Sequence, residues 1–437
     1  MAELKPRVAF LTLGCKANHY DSMALMAGLD PLRFEVLESE GAPVEADIYV
    51  INTCTVTGKS DFQSRQLVRR ARKWNPAAKV LVTGCLAETQ PHSLQDLPQD
   101  GVIGVRGRGR VIEWISRGTA CRAPTSGTAA DAPANADFFY DPAGGRQRRT
   151  RALVKVQDGC DLACAYCIVP QARGRSRSLP EAAVLTQLRR LSEQGFQEAV
   201  LTGIHLGFYG KDHGTNLVAL LKSLEQEPGI PPRIRLSSIE PQEFSPELIA
   251  LIAGSNRICR HLHLPLQSGD DSVLRRMRRL YTREEFRRVV LELYQAMPEL
   301  CLGLDVIAGF PGESEANFIE TITFLESLAW SYLHVFPFSV RPGTAAAEMD
   351  KQLVPPVIRA RAARLRELGS RRRQAFYAQA VGKRLRLLVE DRWAGWQRGF
   401  SDQYVPLRFQ SEQDWQGRLV EVRVQGADQQ GGWGVLA

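Results

Sequence analysis

The chain has 437 residues, 44% hydrophobic and 24% charged, with 56 lysines and arginines against 48 acidic residues and a net charge of +8. That length calls for more than one core, and the balance is that of a globular protein, not a disordered or fibrous one. No uninterrupted apolar stretch of roughly 18 residues occurs, which excludes a membrane-spanning helix.

The first residues, MAELKPRVAFLTLGCKANHYDS, lack the basic-then-apolar order of a secretion signal, so a cytoplasmic location is expected. Thiols stay reduced there. Nine cysteines, an odd number, then point to metal binding or catalysis, not to a disulfide framework. Three short apolar runs, VAFLTL (8–13), DIYVIN (47–52) and KVLVTG (79–84), alternate with helical patterns. This predicts an open parallel α/β sheet over residues 1–118. Residues 119–148 are rich in Ala, Pro, Gly and Asp without apolar period and read as a linker.

Residues 149–375 resume the alternation with ALVKV (152–156), EAVLTG (198–203), RIRLSS (233–238), HLHLPL (261–266), LGLDVIAG (302–309) and YLHVFPF (332–338). Helices are expected between them, for example over 180–195 and 282–297. Six such units predict a partial (β/α)6 barrel. Residues 376–437 alternate apolar and polar residues between Gly and Asp/Gln turns, which predicts a small antiparallel β-barrel. Basic residues cluster at 64–73, 145–151, 172–178, 275–279 and 359–373. Such clusters are either a nucleic-acid footprint or a solvated face.

DGCDLACAYC (158–167) holds Cys160, Cys164 and Cys167 in a Cx3Cx2C spacing. Three thiolates on one loop can ligate three irons of a cubane cluster and leave the fourth open. The alternatives are a partial zinc site completed from a distance or three packed cysteines. Cys15, Cys54 and Cys85 each stand just beyond the carboxyl end of a predicted parallel strand. Those ends share one sheet edge, where ligands bind, so the three can converge on a second cluster. The alternative is three independent buried thiols. Cys121, Cys259 and Cys301 show no such pattern, and His205, His261 and His263 read as structural histidines.

Cx3CxΦC with Tyr166 before the last cysteine resembles the signature of the radical S-adenosylmethionine enzymes. LGCKANHYDS, NTCTVT, GCDLACAYCIVPQARGRSRS, LPLQSGDDSVLRRMRRLYT, DVIAGFPGES and FSVRPGTAAAEM together resemble the methylthiotransferase family over nearly the whole chain. The resemblance implies two 4Fe–4S clusters, on Cys160, Cys164 and Cys167 for radical generation and on Cys15, Cys54 and Cys85 for the sulfur, with S-adenosylmethionine as cofactor. It implies a TRAM-like RNA-binding role for the last barrel. TVTGKSDFQSRQLVRRA after Cys54 resembles the subfamily acting at carbon 2 of N6-threonylcarbamoyladenosine, position 37 of tRNA. His19 and Glu88 depart from that pattern. Another tRNA adenosine (isopentenyl type), a ribosomal protein aspartate, or a non-catalytic two-cluster electron carrier or RNA-binding protein are the alternatives.

Around the cofactor the resemblance points to Tyr166, Thr202, Gly203, Ser238, Glu240, Gln267 and Gly309, against a tight turn at 202–203 and a helix cap at 309. Arg173, Arg175 and Arg177 are candidates for phosphates of the anticodon stem-loop, against intradomain ion pairs. An electron donor such as flavodoxin or ferredoxin, a sulfur donor left open, and a monomeric state complete the expectation.

Overall fold

The computed structural model describes residues 5–39, 42–117 and 149–437. The expected linker and Cys121 lie outside the described residues. The first sheet comprises β1 (Arg7–Thr12), β2 (Glu35–Ser39), β3 (Ile48–Thr53), β4 (Lys79–Gly84) and β5 (Gly101–Ile103). They run parallel in the order β2-β1-β3-β4-β5. β3 is wholly buried, and β4 is buried except for Lys79 at its start, which is why both read as unbroken apolar runs. Alternate residues feed two cores. Leu11, Tyr49, Ile51 and Val82 meet Leu67 and Val68 of α2 (Gly58–Trp74). Phe10, Val50 and Leu81 meet Leu25 of α1 (Lys16–Ala27) and Trp114 of α4 (Gly109–Arg117); the short α3 (Cys85–Thr89) follows β4.

The middle of the chain supplies β6 (Ala152–Lys155), two-residue strands β7 (Gln157–Asp158) and β8 (Arg177–Ser178), β9 (Glu198–Thr202), β10 (Arg233–Leu236), β11 (His261–Gln267), β12 (Cys301–Ala308) and β13 (Tyr332–Pro337). Between them run α5 (Val169–Arg173), α6 (Glu181–Glu193), α7 (Leu217–Gln226), α8 (Pro246–Gly254), α9 (Asp271–Arg276), α10 (Arg283–Ala296) and α11 (Glu315–Glu326), and α12 (Pro355–Ala378) follows. All six expected strands form. They stand as two parallel sheets, β10-β9-β6 and β11-β12-β13. Across the break the backbone pairs at the bridge Ile234 to Ile258, and Ile239 N–H donates to His263 O at 3.1 Å.

Outward residues such as Val154, Leu201, Ile234, Leu264 and Leu304 share one core with the surrounding helices. The alternate residues therefore line the inner face. Leu153 and Val200 there pack on Tyr20 and Met23 of α1, so the N-terminal layer covers the open side of the arc.

The last strands, β14 (Arg384–Trp393), β15 (Trp396–Ser401), β16 (Pro406–Gln410), β17 (Leu419–Asp428) and β18 (Gly431–Leu436), close a barrel in the order β14-β15-β16-β18-β17. Its pairs are antiparallel except β16 with β18. α12 runs unbroken through residue 375, and its Tyr377 enters this barrel's core with Leu387 and Phe409. The barrel also reaches under the arc. Arg235 donates to the carbonyls of Asp402 (3.0 Å) and Ser401 (3.1 Å), and the Tyr404 ring lies 4.5 Å from that of His261. No described helix is long and apolar enough to cross a membrane.

Candidate cofactor and substrate site

Cys15 caps α1 after β1, Cys54 follows β3, and Cys85 opens α3 after β4. The three loops converge. A Cβ on Gly14 would lie 2.7 Å from Cys54 Cβ and 2.9 Å from its Sγ, at a φ of +103°. Only glycine lets the two loops approach so closely. Asn18 is fully buried between them. Its Nδ2 donates to Leu13 O and Thr53 O, both at 2.8 Å, and Cys85 Sγ lies 3.8 Å from its Oδ1. Burial pushes the Cys85 thiol up to about 11, and Cys15 and Cys54 add to the rise. Burial also raises Cys54. Three cysteines brought together from three loops are a donor set that a thiolate-bound metal cluster can use.

Cys160, Cys164 and Cys167 lie on the loop between β7 and α5, at the wall of a cavity of about 700 Å³ shared with Arg106, Arg175 and Arg278. Cys160 Sγ accepts from Leu162 N–H at 3.4 Å and stands 3.5 Å from His205 Nδ1. Arg279 donates to Cys164 Sγ at 3.2 Å. Burial raises Cys160 to about 11 and Cys167 to about 12. This sulfur set, at the wall of a roomy cavity and with a cationic neighbour, fits a thiolate-ligated cluster with an open position.

A second recess, of about 210 Å³, is walled by residues next to both sulfur sets. It is lined by Val56 and Thr57 just after Cys54, Tyr166 of the other loop, Gln267, Asp305, Ile307, Phe336 and Ser339. Gly58 N–H donates to Ser339 Oγ at 2.9 Å and Arg341 pairs with Asp61, which ties its two walls together.

Two family models match the chain: the uncharacterized protein family UPF0004 over residues 7–104 and the Radical SAM superfamily over 154–325. Threonylcarbamoyladenosine tRNA methylthiotransferase MtaB of Bacillus subtilis is 38% identical over 95% of this chain and 93% of its own length. The MtaB of Aquifex aeolicus is 37% identical over 96% and 100%. The tRNA-2-methylthio-N(6)-dimethylallyladenosine synthase of Symbiobacterium thermophilum is 33% identical over 96% and 92%. The chain belongs to the radical S-adenosylmethionine methylthiotransferases. The solved radical S-adenosylmethionine methyltransferase TsrM from Kitasatospora setae shares the fold, at a TM-score of 0.55 and 16% identity over 79% of this chain and 77% of that one.

Within this methylthiotransferase several expected residues take other work. Arg173 is 1% exposed, and its guanidinium bonds Asp158 (2.9 Å), Asp21 (3.0 Å) and Asn18 (2.5 Å). A phosphate cannot reach it, which corrects the RNA-contact expectation. Arg177 is half-buried and donates to Arg173 O at 3.2 Å, whereas Arg175 is exposed at the cavity rim. The Gly309 amide donates to Glu313 Oε2 at 2.9 Å, and a Cβ at this position would lie 2.7 Å from Ile358 of α12. That amide is thus satisfied within its own loop. Glu240 pairs with Arg279; burial raises its carboxyl although Arg279 opposes the rise. Thr202 is buried at the end of β9, and Gly203 sits against Gln157.

Some functional candidates were missed. Arg279 belongs to RRMRR, which suggested nucleic acid, yet it is 9% exposed and serves Glu240 and Cys164. Lys155, Arg108 and Asp21 complete a buried network: Asp21 meets Arg108 and Lys155 at 2.6 Å each, and Lys155 meets Asp158 at 2.7 Å. Two carboxylates thus face three cations. The surplus positive charge acts on Cys85 and Cys15 through Arg173, which suits an anionic thiolate site. Ala172 of α5 packs on Cys85 itself, so both sulfur sets share a wall.

Gly159 offers a direct test of the second loop. Its φ is +76°, and a Cβ would stand 1.9 Å from Arg175 O. Gly159→Ala is expected to displace the Cys160 loop and to cut iron bound after anaerobic reconstitution by about half. Iron at the wild-type level would refute this.

Proposed function

We propose that this chain is a tRNA methylthiotransferase that attaches a methylthio group to carbon 2 of N6-threonylcarbamoyladenosine at position 37. The observation that carries the reading is the recess whose lining joins Val56 and Thr57, just after Cys54, to Tyr166, just before Cys167, with Phe336 and Asp305 in its wall. When bound, a 4Fe–4S cluster on Cys160, Cys164 and Cys167 with S-adenosylmethionine supplies a 5′-deoxyadenosyl radical, and one on Cys15, Cys54 and Cys85 supplies the sulfur. Tyr166, Thr202, Gly203, Ser238, Glu240 and Gln267 hold the cofactor, with Arg279 fixing Glu240. Phe336, 38% exposed, gives a flipped base a surface to stack on. A dimethylallyl substituent would set an apolar chain against Asp305, an unfavourable match.

Residues 1–118 form the unit of the sulfur-donating cluster, 149–375 the radical unit, and 376–437 an RNA-gripping barrel. The protein acts in the cytoplasm as a monomer and takes electrons from a donor such as flavodoxin or ferredoxin. Mass spectrometry of tRNA nucleosides from cells lacking the gene tests the reading. Loss of the methylthio derivative of threonylcarbamoyladenosine supports it; loss of a different modification overturns it.

Arg175 and Arg177 remain the phosphate contacts beside the cluster loop. Arg175→Ala is expected to weaken stem-loop binding for every position-37 base alike and to lower the salt slope by about one. An unchanged slope would remove Arg175 from the interface.

A further inference from the structure

We infer that His334, Asp305 and His263 form the subsite for the N6 substituent of the target base, a ureido-linked amino acid carrying a hydroxyl and a carboxylate. This rests on the substrate reading above. β13 turns Tyr332, His334 and Phe336 to the inner face, while Leu333 joins the outer core. A two-residue step along a strand is about 6.6 Å. His334 therefore stands one such step beyond the Phe336 wall, at the distance a substituent projects from a stacked purine.

His334 keeps half its side chain accessible (52%), with Nδ1 3.2 Å from Asp305 Oδ1. The same oxygen lies 3.1 Å from His263 Nε2. His263 is 8% exposed, and Ser238 Oγ fixes its Nδ1 at 2.7 Å. Its Nε2 makes no hydrogen bond of acceptable geometry among the described residues. A buried ring nitrogen thus stands beside the recess-lining Asp305 without a well-aligned hydrogen bond, which a ligand can supply. Asp305 lines that recess. Burial works against its ionisation, yet His263 and His334 hold its carboxyl down to about 2. The carboxylate accepts from ureido N–H groups, and the accessible edge of the His334 ring meets the hydroxyl or carboxylate beyond them. An apolar substituent would offer no partner to the Nε2 of His263 or to the accessible edge of the His334 ring.

The three ligand atoms lie within 4.8 Å of one another, a spacing a divalent cation also tolerates. The experiment separates the two. Stem-loops carrying threonylcarbamoyladenosine, dimethylallyladenosine or adenosine at position 37 are titrated against the full-length reconstituted protein without reductant, and anisotropy reports affinity. Wild type is expected to prefer the threonylcarbamoyl stem-loop over the adenosine one by about tenfold. His334→Ala is expected to bring that ratio to about one, and Asp305→Asn to lower it, with iron content and melting as fold controls.

A wild type without preference overturns the substrate reading and this subsite with it. A preference kept by both variants overturns the subsite alone. A preference abolished by EDTA and restored by Mn2+ or Zn2+ alone overturns direct contact, because the three groups then hold a cation.

Discussion

Protein carrying Cys15→Ala, Cys54→Ala and Cys85→Ala together is expected to hold about four irons after anaerobic reconstitution, where wild type holds about eight. With reductant and S-adenosylmethionine it is expected to keep releasing 5′-deoxyadenosine, yet to form no methylthio nucleoside. The matching triple replacement at Cys160, Cys164 and Cys167 is expected to lose both products. The asymmetry follows from placement. One set sits at the edge of the β2-β1-β3-β4-β5 sheet, the other on the loop after β7, and each has its own supporting hydrogen bonds. Iron analysis, nucleoside mass spectrometry and chromatography of 5′-deoxyadenosine read the three quantities. Loss of 5′-deoxyadenosine in the first variant would break the division of labour.

Arg173→Met is expected to destabilise the fold by about 3–5 kcal/mol, the cost of removing one cation from a buried ion-pair network, with Lys155 and Arg108 left as the partners of Asp158 and Asp21. Asp158 and Asp21 are 0% and 4% exposed, so water cannot take the place of the guanidinium. Burial alone would raise both carboxyls; Arg173, Lys155 and Arg108 reverse this and hold them below the usual range. A carboxyl depressed in the folded state contributes stability above its unfolded value, about 3.9, and loses that contribution as pH falls toward the folded value. Wild-type stability is therefore expected to change little through this network from neutrality to about pH 4 and to drop below it. Asp158→Asn is expected to flatten that acid limb. Denaturant midpoints across pH measure both effects, and an acid limb unchanged in Asp158→Asn would remove the network from the pH response.

Much of this architecture is written locally. Parallel strands buried on both faces must be continuous apolar runs, and each cysteine next to such a run inherits its position from the sheet. Edge strands carry no such signature. EVLES pairs with β1 yet keeps polar residues, because only one neighbour covers it. The parting between β10 and β11 depends on how two sheets curve, which no single strand encodes. Arginines expose the same limit. In PQARGRSRS, Arg173 ends α5 and turns inward while Arg175 faces solvent. Which one does so is decided by Asp21 and Asp158, 152 and 15 residues away. His263, Asp305 and His334 come from three strands, and only their pairing register brings them together.

The reach of the C-terminal barrel beneath the arc gives that barrel a second duty. Arg235 and Arg233 are anchored to its backbone carbonyls, and Tyr404 closes over His261 like a bulkhead. A chain cut after α12 would lose these contacts beneath the arc. The inner face around His261 and Arg235 would open to water, and the radical chemistry that S-adenosylmethionine would supply there would lose its shelter from bulk solvent.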